Sequence, residues 1–292
     1  LLDKALGSHS SCFSLGEIVN FSSEFSKTQT FCGCGQWLSN CSFWKQINYS
    51  LQKKDVQIKP SEYNIKNHNP YTGIKKKIYG LANILGYYNS SDKKILTRTK
   101  YLFDTITEIS GKNILIDSSK SIGRSFLLKH FLKDYDVFFI HLIRNGKAVL
   151  NSRKKDSYTV KFNDNTTQKF FSERTKKSSR EYSKSWRKYN LKVFRLMKFI
   201  SNKKKYTIKY EDFINHPETK LKQITNMIGI EYDSNMKALY NARNHIIGGN
   251  PSRINAQKIN PEKQKIYSNL TSQDIKVFEK IAGKLNNKLN YN

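Results

Sequence analysis

The sequence lacks any run of apolar residues close to the ~20 that a helix needs to cross a bilayer. No secretory signal peptide is visible at its start either. The chain begins at Leu1-Leu2-Asp3 without a methionine, so a targeting signal or a membrane anchor could precede it. The portion at hand is therefore predicted to contain no transmembrane segment.

Several common nucleotide-binding and catalytic motifs are also missing. The chain has neither a Gly-x-x-x-x-Gly-Lys-Ser/Thr phosphate loop nor a Gly-x-Gly-x-x-Gly dinucleotide motif. It also lacks the His-Glu-x-x-His pair of zinc proteases and the Gly-x-Ser-x-Gly turn of serine hydrolases. An intact Walker phosphate loop is therefore excluded from this portion.

Acidic residues are scarce, with 23 Asp and Glu against 52 Lys and Arg, which gives a net charge of +29. Such a charge favours anionic partners: a nucleotide cofactor, an acidic polymer, nucleic acid or a membrane surface. A general bias toward lysine is the alternative explanation. With 37% hydrophobic and 13% aromatic residues, the chain can form a sizeable core, and a single domain over residues 1–292 is predicted.

The most informative stretch runs from Phe138 to Ser152. Its apolar first half predicts a buried strand of a parallel sheet, and Arg144 follows directly at the carboxyl end of that strand. Ligands of open α/β sheets bind at this edge, and a guanidinium group suits phosphate. The amides of the following helix turn would add a weaker anion site, and Ser152 a hydroxyl. The stretch therefore predicts a phosphate site, with a surface arginine after a core strand as the alternative.

The remaining elements follow from hydrophobic spacing and breaking residues. Strands are predicted at residues 114–117, 137–143 and 206–210. Helices are predicted at residues 1–7, 43–51, 71–88, 92–109, 121–133, 147–152, 170–200, 216–228 and 270–285, with loops at 20–40, 55–69 and 156–167. The alternation of strand and helix in the middle of the chain is typical of a doubly wound parallel sheet.

All four cysteines lie in the first 41 residues, and three of them form a Cys32-Gly-Cys34-x₆-Cys41 cluster. Such a cluster can hold a metal ion, but its fourth ligand would have to be Cys12 or His9. Packed thiols or one disulfide are the preferred interpretation, and no metal site is predicted.

Separated segments of the chain together resemble one enzyme family. Arg144 and Ser152, with seven residues between them at a strand-to-helix junction, resemble the 3′-phosphate motif of sulfotransferases that use 3′-phosphoadenosine 5′-phosphosulfate (PAPS). Ile208–Phe213, followed by His-Pro-Glu, is similar to the Tyr-Glu-Asp-Leu segment of that family. Gly248–Arg253 resembles the late Gly-Asn-Pro-x-Arg loop of bacterial and carbohydrate-type members. Residues 1–17 and 32–44 are similar to the helix after the 5′-phosphosulfate loop and to an insert of these members.

The resemblance implies a P-loop NTPase-like, three-layer α/β/α fold with a short central parallel sheet and additional helices. It implies transfer of a sulfuryl group from PAPS to a hydroxyl or amine of an acceptor, such as a glycan, a lipid or a protein, with PAP as the product. It implies no catalytic metal, because the sulfuryl group carries less charge than a phosphoryl group.

The resemblance also assigns catalytic roles. Glu17 is the expected base, since protein-tyrosine and glycan sulfotransferases carry a glutamate at about this distance after the phosphosulfate loop. His9 is the reserve base, and Glu17 would otherwise only cap a helix. Lys120 is expected to stabilise the transferring sulfate or the leaving phosphate, a solvated lysine in a serine-rich turn being the alternative.

Cofactor contacts are implied for four residues. Arg144 and Ser152 would hold the 3′-phosphate, and Arg253 would assist them. Tyr210 resembles a tyrosine near the adenine, although an aromatic residue at a strand end also suits a core position.

One part of the family pattern is missing. The phosphosulfate loop and the strand before it would precede Leu1, so we expect an N-terminally truncated record of a longer protein. The chain alone is expected to bind the 5′-phosphosulfate poorly and to be a weak or inactive enzyme.

Two other functions fit parts of the sequence. A P-loop kinase shares the architecture, and its Lys-Ser/Thr pair would also precede Leu1. A nucleic-acid-binding protein would use the net positive charge and the basic, aromatic stretch Phe170–Ile200. The preferred interpretation of this stretch is a helix that packs its aromatic residues. Nucleic acid is therefore not an expected partner.

The acceptor would contact the variable segments Thr28–Asn69 and Asp156–Ser185. The bacterial character of the cysteine insert and of the Gly-Asn-Pro loop favours the bacterial cytoplasm. A Golgi or secretory lumen is the alternative while the preceding residues are unknown.

Overall fold

The computed structural model describes residues 1–25, 30–54, 78, 80–83, 85–155, 157–161, 167–171, 177–239, 245–249, 259 and 269–291. The chain divides into two compact units. The first unit comprises Leu1–Val137 and Asp233–Gln257, and the second comprises Phe138–Tyr232 and Lys258–Asn292. A single domain over the whole chain stays a prediction.

The described helices are α1 (Leu2–Leu6), α2 (Phe21–Phe25), α3 (Ser42–Lys53), α4 (Ser90–Ser110), α5 (Ile122–Phe131), α6 (Gly146–Arg153), α7 (Ser179–Met197), α8 (Tyr210–Asn215), α9 (Pro217–Ile228), α10 (Asn235–Ala238), α11 (Ser272–Phe278) and α12 (Lys284–Lys288). The described strands are β1 (Cys12–Gly16), β2 (Ile114–Asp117), β3 (Phe139–Ile143), β4 (Ser157–Lys161), β5 (Thr167–Phe171) and β6 (Lys205–Lys209). A π-helical turn, Glu279–Gly283, joins α11 to α12. Among these helices, none combines the length and the apolar character that crossing a membrane requires.

The first unit is built on the parallel pair β1–β2, which runs from Cys12 opposite Ile114 to Gly16 opposite Asp117, with a shift in register between Ser14 and Gly16. Helices α3, α4 and α5 contribute to one apolar core with the strands. Its fully buried members include Leu15, Phe21, Trp44, Ile47, Leu51, Leu96, Ile106 and Leu127. Helix α4 begins with a capping box between Asn89 and Asp92, which satisfies backbone donors at its exposed end.

Strand β1 was not predicted. Its sequence, Cys-Phe-Ser-Leu-Gly, is short and carries a buried serine, so it shows no apolar run. The Ser14 hydroxyl donates to the Asp3 carboxylate at 2.7 Å, which satisfies a polar group that the strand buries. Burial raises the pKa of Asp3 above its ordinary value.

The second unit contains the parallel pair β3–β6, with Phe139 opposite Lys205 and Ile143 opposite Lys209. The turn from β3 into α6 packs against α7 and the C-terminal helices. The core of this region comprises Leu150, Trp186, Phe278, Ala282 and Leu285. Burial of Trp186 on α7 supports the interpretation of this basic helix as a packing element.

Two predictions in the second unit were wrong. Residues 157–161 of the predicted loop 156–167 pair as an antiparallel strand with residues 167–171, which include the start of the predicted helix 170–200. Helix α7 begins only at Ser179, after a capping box between Ser178 and Glu181. The β-branched and aromatic residues of 157–161 and 167–171 favour strands, but their local polarity concealed this preference.

Other predicted elements match closely, including α3, α4, β2, α5, β6 and α9. The predicted loop 20–40 contains α2 and an isolated antiparallel bridge between Phe31 and Trp37. Residues 80–83 of the predicted helix 71–88 are helical, whereas residues 55–77 lie outside the described residues.

We expect Gly146→Ala to destabilise the second unit. A Cβ at this position would overlap the Phe278 ring and lie 3.1 Å from Trp186 Cδ2. Overpacking of this kind costs about 1–3 kcal/mol, measurable by urea unfolding. Gly123→Ala is the matched control, because nothing lies within 4 Å of its added Cβ in α5. Equal stability of the two variants would contradict the packing described here.

Asp274 should make the stability of the second unit depend on pH. Its carboxylate accepts from Thr271 N at 2.9 Å and pairs with Lys154 Nζ at 2.5 Å, and it also accepts from the Ser179 hydroxyl. Burial raises the pKa of Asp274, but these partners, led by Lys154, outweigh burial and hold it well below its ordinary value.

A carboxyl group whose pKa is lower in the folded than in the unfolded protein stabilises the fold at any pH above its unfolded pKa of about 3.9. This stabilisation is lost as the pH falls from there through the folded pKa. Asp274→Asn should therefore lower the free energy of unfolding at pH 7 by about 1–2 kcal/mol and flatten its decline between about pH 5 and 2. Asp134→Asn, on a side chain that is 78% exposed, is the control. If the free energy of unfolding of Asp274→Asn declined as steeply with falling pH as that of the wild type, Asp274 would not contribute to the pH dependence.

Candidate active site

The loops that follow β1 and β2 are joined at the carboxyl ends of these two strands. Ser118 N donates to Gly16 O at 2.8 Å, and Val19 N donates to Ser119 Oγ at 3.0 Å. The two loops therefore form one surface at the edge where α/β sheets bind ligands.

The two predicted catalytic residues meet on this surface. Lys120 Nζ lies 2.5 Å from Glu17 Oε1, although 103 positions separate the two residues in sequence. The other carboxylate oxygen of Glu17 accepts from Asn20 Nδ2 at 3.2 Å. The Lys120 side chain is 65% exposed and that of Glu17 is 22% exposed, so the pair is within reach of solvent. The structure thus places a carboxylate and an ammonium group in one accessible ion pair.

Lys120 has an unusual backbone conformation, with φ of 56°. This left-handed region is unfavourable for residues with a Cβ and is enriched at functional sites. The preceding turn is fixed by Asp117, which accepts from Ser119 N at 2.9 Å and pairs with the buried Arg124. The role of Arg124 was not predicted from the sequence. Its position seven residues after Asp117, at the end of β2, was the signal that could have indicated this pair.

Residues 245–249 lie beside the same edge. Glu17 N donates to Ile247 O at 2.8 Å, and Ile247 N donates to Leu15 O at 3.3 Å. Gly16 has φ of +64°, and a Cβ there would overlap Ile246 and Ile247, so only glycine permits this approach. The predicted glycine-rich loop thus begins next to Glu17. Its Arg253 lies outside the described residues.

His9 is buried in the turn after α1, and its Nδ1 accepts from Ser11 N at 2.9 Å. This nitrogen is therefore engaged with the backbone of its own turn.

The second unit repeats the strand-end geometry. Arg144 follows β3 and Tyr210 follows β6, and the Arg144 Cζ lies 4.7 Å from the centre of the Tyr210 ring. Trp186 Nε1 donates to Arg144 O at 3.2 Å, which holds the backbone of this turn. Burial raises the pKa of the Tyr210 phenol, so the ring is neutral at pH 7. Ser152 lies on α6 with an exposed side chain.

One donor of Arg144 is unsatisfied. Its Nε is buried, and nothing in the described part of the chain accepts a hydrogen bond from it. A buried donor without an acceptor costs about 1–3 kcal/mol. An anion bound at this position would remove that cost.

The predicted anion site on the backbone amides after Arg144 is not available. Asn145 N donates to Glu211 Oε1 at 3.0 Å, Gly146 N to Asn286 Oδ1 at 2.9 Å, and Lys147 N to Asn145 Oδ1 at 2.9 Å. The prediction was wrong because side chains distant in sequence occupy these donors. Arg144 is left as the main cationic group of this turn.

The cysteine cluster has a fourth member that the sequence did not suggest. The ligand atoms of Cys32, Cys34, Cys41 and His245 all lie within 4.8 Å of one another. We call these residues the thiol–imidazole cluster. The prediction that Cys12 or His9 would complete it was wrong, because the chain fold brings His245 to the thiols instead. None of the four cysteines, all of which are described, forms a disulfide.

Comparisons with known proteins identify the fold. Two solved structures have a similar fold, each with a TM-score of 0.51 over 100% of this chain. One is the sulfotransferase domain of the olefin synthase of Synechococcus PCC 7002, at 16% identity and 90% coverage of that chain. The other is the sulfotransferase domain of the curacin biosynthetic pathway, at 13% identity and 93% coverage. The fold is thus the predicted α/β/α fold of the P-loop NTPase type.

The sequence points to the same class. Residues 97–234 match the model of the sulfotransferase family, a segment that contains Lys120, Arg144, Ser152 and Tyr210. A search of the curated proteins finds no match. The predicted resemblance to sulfotransferases is confirmed over this segment and in the fold.

Proposed function

We propose that this protein transfers a sulfuryl group from PAPS to a hydroxyl or amine of an acceptor such as a glycan, a lipid or a protein. The family segment and the fold support sulfuryl transfer in general. The observation that carries the choice of PAPS is Arg144, a strand-end guanidinium with an unsatisfied buried donor and with Ser152 on the helix that follows.

The 3′-phosphate of PAPS suits Arg144 chemically. Charge-assisted hydrogen bonds from guanidinium to phosphate are about twice as strong as neutral ones. The exposed hydroxyl of Ser152 can donate to the same phosphate, and Tyr210 holds the guanidinium from its ring face. Arg253 remains part of the proposal on the family resemblance alone.

PAPS supplies an activated sulfuryl group whose bond to the 5′-phosphate breaks as the new bond to the acceptor forms. Glu17 accepts the proton that the acceptor hydroxyl loses in this step. Lys120 places positive charge where negative charge develops on the transferring group or on the leaving phosphate.

The ion pair explains how Glu17 is oriented before the reaction. Lys120 holds one carboxylate oxygen and Asn20 the other, so the side chain is fixed without ligand. Asn20 is a positioning residue that the sequence did not reveal, three positions after Glu17 on the same turn. An acceptor hydroxyl that reaches Glu17 must share its carboxylate with these two partners.

Arg144→Ala should weaken PAPS and PAP equally, because both carry the 3′-phosphate. A lost charged hydrogen bond of about 1.5–3 kcal/mol corresponds to a Kd about 10–100-fold higher, measurable by titration calorimetry. Arg153→Ala is the matched control, since Arg153 is exposed at the end of α6, the helix that follows Arg144. Unchanged affinity in Arg144→Ala, or an equal loss in both variants, would contradict the assignment.

Glu17→Gln should lower kcat by about 10²–10⁴-fold, because the proton acceptor is lost, whereas the Kd of PAPS should change little, because the 3′-phosphate contact at Arg144 is kept. The measurement is PAP release with a hydroxyl acceptor that the wild type turns over. Glu108→Gln, on a side chain that is 72% exposed on α4, is the control. A kcat retained across the pH range would remove Glu17 from the mechanism.

A further inference from the structure

The thiol–imidazole cluster is not used by the proposed reaction, and it has the geometry of a metal site. A tetrahedral zinc ion with Zn–S of about 2.3 Å and Zn–N of about 2.0–2.1 Å separates two sulfurs by roughly 3.8 Å and a sulfur from a nitrogen by roughly 3.6 Å. Cys34 Sγ lies 3.9 Å from Cys41 Sγ, and Cys32 Sγ lies 3.6 Å from His245 Nδ1. The distance from Cys41 Sγ to His245 Nδ1 is 3.1 Å.

The surroundings of the cluster show why ionised thiols at this place would need a cation. Cys32 and Cys41 are fully buried within the apolar core of the first unit. Thiolates at this depth are unfavourable without a compensating charge. Cys34 Sγ and Cys41 Sγ, 3.9 Å apart, are also far from the 2.03–2.05 Å of a disulfide.

The ring of His245 is held in place by its neighbours. It stacks on Phe43 with centroids 4.6 Å apart and 12° between the planes. Trp44 Nε1 donates to His245 O at 2.8 Å, which fixes the backbone of this residue. The nitrogen that faces the sulfurs is therefore oriented before any ion binds.

The loop that carries the thiols is equally constrained. Cys32 N donates to Gln36 O at 2.8 Å, and Gly35 N donates to Cys32 O at 3.0 Å, which closes a tight turn around Cys34. Gly33 N donates to Ile246 O at 3.0 Å and ties this turn to the segment of His245. The ligands thus come from two segments that already contact each other.

We propose that the thiol–imidazole cluster binds one Zn²⁺ ion as a structural site. Three thiolates and one imidazole form a closed tetrahedral set, which is typical of structural zinc and leaves no position for a substrate. Binding releases the three thiol protons and involves no redox change. The inference does not depend on the proposed transfer reaction.

The ion would stabilise the edge that carries Glu17. His245 continues directly into Ile246 and Ile247, and Ile247 O accepts the hydrogen bond from Glu17 N. A metal bond at His245 therefore fixes a segment that borders the catalytic carboxylate. Loss of the ion should lower the stability of the first unit and loosen this contact.

The test measures metal content and coordination in the full chain. Protein purified under reducing conditions should contain about one zinc ion per chain by mass spectrometry of the metal. Exchange with Co²⁺ should give the strong visible bands of tetrahedral cobalt and a near-ultraviolet thiolate-to-cobalt charge-transfer band. Removal of the ion should lower Tm.

Variants assign the ligands. Cys41→Ser and His245→Ala should each weaken zinc at least about tenfold in competition with a chromogenic chelator. Cys12→Ala is the matched control, because Cys12 is buried outside the cluster, and its zinc content should be unchanged. Reduced wild-type protein without zinc, an octahedral cobalt spectrum, or equal loss in Cys12→Ala would overturn the proposal. If the ligand variants fail to fold, the cobalt spectrum of the wild type decides alone.

Discussion

The parallel pairing of β1 with β2 is the constraint on which the first unit depends. Because parallel strands end on the same edge, the residues that follow them meet even though about a hundred positions separate them in sequence. This pairing places Glu17 against Lys120 and lets Ser118 and Ser119 bind the turn after β1. The left-handed backbone of Lys120 is tolerated because the surrounding hydrogen bonds determine it.

The same rule operates independently in the second unit. The pairing of β3 with β6 places Arg144 beside Tyr210, each one residue beyond the last paired position. Glycine at position 146 then allows the following helix to approach Phe278 and Trp186 closely. An aromatic core thus holds the backbone of the turn, while the guanidinium keeps a donor for an anion.

Much of this arrangement could be predicted from the sequence because it depends on local signals. The apolar runs of β2 and β3 and the strand-end positions of Lys120 and Arg144 needed no knowledge of distant residues. Strand β1 was not predicted, because a hydrophobicity pattern does not reveal that Asp3 accepts a hydrogen bond from its buried Ser14. The strand pair β4–β5 was not predicted, because pairing between the strands, rather than local polarity, decides its structure.

The other wrong predictions, on the amides after Arg144 and on the fourth member of the cysteine cluster, have one cause. Both depend on contacts between residues that lie far apart in the chain. The amides of the turn after Arg144 looked free, but Glu211 and Asn286 occupy two of them. Likewise, no spacing rule connects Cys41 with His245, which lies 204 positions later. The types of chemistry were thus visible in the sequence, whereas the partners that complete or block each group required the fold.

We propose that Arg144 and Ser152 form a site for a 3′-phosphorylated nucleotide. Calorimetric titration of the wild-type protein with PAP and with AMP tests it most directly, because the two ligands differ only in the 3′-phosphate. The account predicts that PAP binds at least about tenfold more tightly than AMP, as one charge-assisted contact requires. Equal affinity for the two ligands would contradict it.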